Sequence, residues 1–77
     1  MLLVRKLIQF ANKQNFNANY VDAINYGKFG ITFARELKRP DLELPALGLV
    51  YYTYLNIGIA EKANEYLIAL EALNKEV

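Results

Sequence analysis

Cysteine, histidine, tryptophan and serine are all missing from this 77-residue chain. Without cysteine there is no disulfide framework, no thiolate metal site and no cysteine nucleophile, and the redox compartment leaves no mark. Without histidine as well, the common zinc ligand sets and the usual general base are gone. Glycine is scarce, and Gly27 and Gly30 fall inside a helical pattern rather than after a strand, so no phosphate-cradling loop is present. The carboxylates are Asp22, Asp41 and six Glu. They sit in expected first turns or on exposed helix faces, where burial would not raise a pKa. Thr32, Thr53 and the six Tyr are the only hydroxyl side chains, and none has an evident activating partner in sequence. This inventory points away from an enzyme and implies neither a metal nor a cofactor.

What remains is apolar and aromatic: 55% hydrophobic residues and 13% aromatics favour a packed interior over disorder. The length suits a single domain over 1–77 with one modest core, a size at which association with a partner helps stability. The net charge of +1 conceals a polarity. Residues 1–39 carry seven cations (Arg5, Lys6, Lys13, Lys28, Arg35, Lys38 and Arg39) against Asp22 and Glu36, a net +5. Residues 40–77 carry Lys62 and Lys75 against six carboxylates, a net −4. Such a split can direct intramolecular docking, head-to-tail association or partner choice. It is also what ordinary solvated helix faces produce. Met1–Val4 is too short for a signal peptide and is followed at once by Arg5 and Lys6, so none is expected.

Apolar residues recur at helical spacing in four segments, and no stretch alternates long enough for a strand. The first helix is expected over 2–14, with Leu3, Leu7, Ile8, Phe10 and Ala11 inward. Asn15–Asn19 breaks it, and Asn17 or Asn19 is the expected N-cap of the second helix, with Asp22 in its first turn. The second helix runs to about Lys38 and closes before Pro40. Within it Ala23, Gly27, Gly30 and Ala34 form a small-residue seam suited to close helix approach, since each internal glycine costs about 1 kcal/mol of helix propensity. Lys28, Arg35 and Arg39 mark a basic stripe on another side, either a solvated face or a phosphate-tracking one.

The third helix starts near Asp41 and Glu43, with Pro45 expected in its first turn, and ends at Gly58. A single long bent helix through Gly58 is the alternative. The fourth spans about 60–75, with Ala60, Ala63, Leu67, Leu70 and Leu73 inward. The run from Leu44 to Ala60 holds no charge. A membrane span needs about 20 mainly apolar residues, whereas this run is interrupted by Pro45, Gly48, Thr53, Asn56 and Gly58. A central helix covered by its neighbours is the expectation. On it Leu47, Val50, Tyr51, Tyr54 and Ile57 should be core. Leu49, Tyr52, Thr53 and Asn56 form an uncharged side: a contact surface, a second buried face or a contact to the first helix.

The pattern over 44–77 resembles a tetratricopeptide repeat, a helix-turn-helix unit that stacks on its neighbours. Leu47 and Val50 match large apolar positions of the first repeat helix and Tyr54 its tyrosine. Gly58 matches the turn glycine, Ala63 and Leu67 the small and large residues of the second helix. Gly27, Ile31 and Ala34, followed by Pro40, resemble the second helix of a preceding unit. The Asn15–Asn19 segment departs from the usual inter-helix turn. The resemblance implies a groove lined by Gly48, Tyr52, Leu55 and Asn56. Asn19–Ala23 and Ala63–Leu67 with Leu73 also resemble the microtubule-interacting-and-transport domain, a three-helix bundle. Either resemblance implies capture of a peptide or helix between helices.

The sequence thus leads to an all-α antiparallel bundle of about four helices, two helical hairpins resembling tetratricopeptide units. The expected role is a non-enzymatic interaction module that binds a protein or peptide, or a second copy of itself, through Gly48, Leu49, Tyr52, Thr53, Leu55 and Asn56. The alternative is a small homo-oligomeric regulator binding nucleic acid through Lys28, Arg35 and Arg39. A third is a structural subunit that buries its apolar faces in self-assembly. A soluble, intracellular setting is the expectation, with no membrane partner.

Overall fold

Three turns of one design set the architecture. The computed structural model describes the backbone of residues 2–76 and the side chains of residues 5–76. Leu3, assigned above to the inner side of the first helix, has its side chain outside the described ones. Four α-helices follow in order: α1 Leu2–Phe16, α2 Tyr20–Glu36, α3 Pro40–Asn56 and α4 Ala60–Glu76. No strand occurs among the described residues. Each connection places one residue in the left-handed region: Ala18 (φ 64°), Lys38 (φ 54°) and Gly58 (φ 80°). The N–H of the next residue then reaches back to a carbonyl of the last helical turn. Asn19 donates to Gln14 (2.7 Å), Arg39 to Ala34 (3.0 Å) and Ile59 to Tyr54 (2.9 Å). The left-handed residues themselves donate to Asn15, Arg35 and Leu55. This paired arrangement satisfies carbonyls that a helix end otherwise leaves open. The turns stand 20 residues apart, so a helical hairpin recurs every 40.

Gly58 is therefore the turn expected, and α3 and α4 are separate helices. Ala18 and Lys38 take the same conformation without a glycine, which their sequence does not announce. Asn19 is the residue preceding α2, yet its side chain does not cap the helix; it donates to Gln14 Oε1 at 2.8 Å. Pro40 opens α3 as its first residue, so Pro45 lies inside the helix rather than in its first turn. It deprives the Asp41 carbonyl of a partner on a side where both residues are exposed and water can serve.

The helices pack in sequence, α1 on α2, α2 on α3 and α3 on α4. α1 also meets α3, while the α4 backbone neighbours α3 alone among the described residues. The result is a slab of 29 × 26 × 14 Å, an open zigzag rather than a closed bundle. Its core joins Ile24 and Ile31 of α2, Ala46, Leu47, Val50 and Tyr54 of α3 and Ala63 of α4, with Ile8, Tyr51, Tyr66, Leu70 and Leu73 packed around them. A smaller cluster joins Ala34 to Leu42, against Ile8 and Phe33. The small seam of α2 is where α1 and α3 close in: Ala23, Gly27, Gly30 and Ala34 are all buried. A Cβ on Gly27 would stand 2.6 Å from Val50 Cγ2 and 3.3 Å from Leu49 Cδ2. At Gly30 it would meet Ile8 and Ala46 at an ordinary 3.6 Å. Three expectations for the core change. Ile57 falls in a turn and is exposed, Ala60 is exposed at the start of α4, and Phe10 is exposed on α1.

Candidate functional site: the outer face of α3 and its groove with α1

Because α3 lies between α2 and α4, only a narrow side of it reaches solvent. Pro45, Tyr52, Leu55 and Asn56 are exposed there, with Gly48 half-buried among them. Tyr52 keeps 64% of its surface and Leu55 43%. Four of the six residues assigned to a contact surface thus share one side of α3. The other two do not. Leu49 is buried and turned toward Gly27 of α2. Thr53 is fully buried, its hydroxyl donating to the Leu49 carbonyl at 2.8 Å. That bond within the helix removes the cost of a buried hydroxyl and lets Thr53 serve as a small core residue. The α3 side carrying Leu49 and Thr53 is the second buried face.

Beside the exposed strip, α1 and α3 enclose a shallow groove of about 320 Å³ lined by Arg5, Ile8, Gln9, Asp41, Leu42 and Pro45. At the other end the Asn56 amide donates to Asn15 Oδ1 at 3.4 Å, a long contact between residues 41 apart in sequence. An amide pair of this kind is exposed and easily exchanged for bonds to a ligand's main chain. Arg5, Gln9 and Asn15 are not assigned to a site from the sequence, although a contact of α3 with the first helix is one of the alternatives expected for it. The Arg39 guanidinium, through hydrogen bonds to Asp41 of 2.9 and 2.7 Å, holds the Asp41 carboxyl below its usual value, and the Arg5 charge adds to this.

The basic stripe of α2 is already engaged. Arg35 Nε donates to Glu43 Oε2 at 2.8 Å, tying α2 to α3. Arg39 clamps Asp41. Lys28 holds its ammonium 5.9 Å from the centre of the Tyr54 ring, which itself stacks on Tyr66 of α4. A hydrogen bond to Tyr54 raises the Lys28 pKa, against the opposing effect of burial. Arg35 and Arg39 therefore have carboxylate partners before any phosphate arrives, whereas Lys28 lies against a neutral ring and keeps its charge.

Among the described residues no cluster of three His, Cys, Asp or Glu is placed to hold a metal ion, and no helix is long and apolar enough to cross a membrane. Compared with protein-family models, curated proteins and solved structures, the chain matches none.

Proposed function

We propose that the protein is a non-enzymatic interaction module whose contact surface is the outer side of α3 together with its groove against α1. The observation that carries this reading is the strip Gly48–Tyr52–Leu55–Asn56. It leaves a large aromatic and a leucine in solvent, rimmed by exposed amides, on the helix that is otherwise the most buried in the chain. Tyr beside amides offers apolar area and hydrogen bonding together, the composition that protein contacts favour. A peptide or a short helix suits this depression better than a compact small molecule, because it is shallow and open to solvent. The hairpin step of 40 residues exceeds the roughly 34 of a tetratricopeptide unit. The likeness to that family therefore rests on local residue pattern, while the groove reading rests on exposure and chemistry.

Selection of displayed peptide libraries against the chain tests the proposal. Enrichment of a peptide that loses at least tenfold in affinity on Tyr52→Ala or Asn56→Ala, with helicity and melting temperature unchanged, supports it; tenfold corresponds to about 1.4 kcal/mol. A fall in stability without an effect on binding would make the strip part of the core instead.

A further inference from the structure

We infer that a second copy of this chain docks head to tail, the α1 of one copy packing on the α4 of the next and continuing the 40-residue step. The step places α3 on α1 and α4 on α2 residue by residue, because the turns at 18 and 58 are alike and α1 and α3 end at Phe16 and Asn56. Inside the molecule Ala46, Leu49 and Val50 of α3 close on Gly27 and Gly30 of α2. Forty residues earlier stand Lys6, Gln9 and Phe10 on α1, followed by Lys13 in the place of Thr53; all four are exposed. On α4 the places of Ile24, Gly27, Gly30, Ile31 and Ala34 are taken by Asn64, Leu67, Leu70, Glu71 and Asn74. Asn64, Glu71 and Asn74 are exposed, Leu67 is half-buried, and Leu70 turns inward to the core beside Gly48.

The two faces are complementary. α1 holds three cations and no anion over its length, whereas α4 has four carboxylates against two lysines. Repeating the α2–α3 geometry sets Leu67 against Phe10 and brings Glu71 beside Lys6. Phe10 is a ready anchor, since its ring packs edge-on to Tyr26 at 4.7 Å and still leaves 44% of the residue exposed. Leu67 in the place of a glycine keeps the helices farther apart than α2 and α3, so the contact is weaker than the internal one and leans on its charges. A contact between unlike faces does not end at a two-fold dimer and adds copies in a row.

Sedimentation velocity on the intact chain, from micromolar to millimolar concentration and at low and high salt, tests the inference. The average mass should rise past the dimer without a plateau and fall back toward monomer in high salt. Lys6→Glu or Glu71→Lys alone should weaken association about tenfold or more. The two changes in one chain should restore it, since every contact again pairs opposite charges. Circular dichroism identifies any variant that fails to fold, in which case Lys13→Glu replaces Lys6→Glu. A monomer at every concentration, a plateau at the dimer, or association indifferent to the reversals would each overturn the proposal.

Discussion

α2 and α4 are the same helix in two settings, each following a left-handed turn and each 17 residues long. α2 has neighbours on two sides and buries Ala23, Ile24, Gly27, Gly30, Ile31 and Ala34. The α4 backbone has one neighbour, α3, and among the described residues only Ala63 of α4, the counterpart of Ala23, is fully buried. Small residues are therefore found where two helices must approach a third at once. Where only one approaches, leucines take the glycine places: Leu70 packs on the core, and Leu67 stays half-buried. The glycines of α2 weaken it as an isolated helix, and the close packing of Val50 and Leu49 offsets that cost.

The largest expected effect strikes the core that both helices share. Leu47→Ala should lower unfolding free energy by about 2–5 kcal/mol in urea titration, whereas Ile68→Ala, on the exposed side of α4, should stay within about 0.5 kcal/mol. A small effect at Leu47 would mean that α2 and α4 do not lean on one core. Next come the glycines. Gly27→Ala drives a methyl into the stiff, fully buried Val50 and should cost about 1–3 kcal/mol. Gly30→Ala meets only ordinary contacts and should stabilise by about 0.5–1 kcal/mol through helix propensity. Opposite shifts in melting temperature are the signature; equal shifts would show that the two positions are packed alike. Gly30→Leu should still destabilise, because Ile8 and Ala46 stand just beyond the Cβ.

The turns yield effects of about 1 kcal/mol. Lys38→Gly and Ala18→Gly should each stabilise by relieving a left-handed side chain, and Gly58→Ala should destabilise, all read by thermal melting. The smallest effect is that of pH. Asp41 is held below its usual 3.8 first by its hydrogen bond to Arg39. Its contribution is therefore present above the unfolded value and lost as pH falls through the lower folded one. Asp41→Asn should flatten slightly the acid limb of stability below about pH 4, and an unchanged limb would leave the Arg39 clamp without a role. Lys28 runs the other way: its raised pKa means a contribution present below 10.5 and lost as pH rises past the folded value.

Much of the fold is legible in the order of residues, because each cue is local. Pro40, the Asn15–Asn19 run and Gly58 mark the helix breaks, and the 3.6-residue spacing of Leu, Ile and Ala marks what lies between. The seam Ala23–Gly27–Gly30–Ala34 is readable because glycine inside a helix is costly without a packing reason. The candidate surface is only half legible. Within Leu44–Ala60 no charge distinguishes one side of α3 from another, so Leu49 and Thr53 read the same as Tyr52 and Asn56. Lys28 reads as a free cation until Tyr54, 26 residues later, is folded beneath it.

The sequence by itself determined four helices, their boundaries to within a few residues, and a core built on small residues in α2. Helix periodicity and turn chemistry act over a few neighbours and need no partner to be seen. The tertiary structure alone decided which side of the uncharged helix is covered, which cations are tied to carboxylates or tyrosines, and that the array stays open so that α1 and α4 keep outer faces of opposite charge. Those outcomes depend on residues tens of positions apart meeting, and burial there follows from the neighbours rather than from the side chain's own polarity.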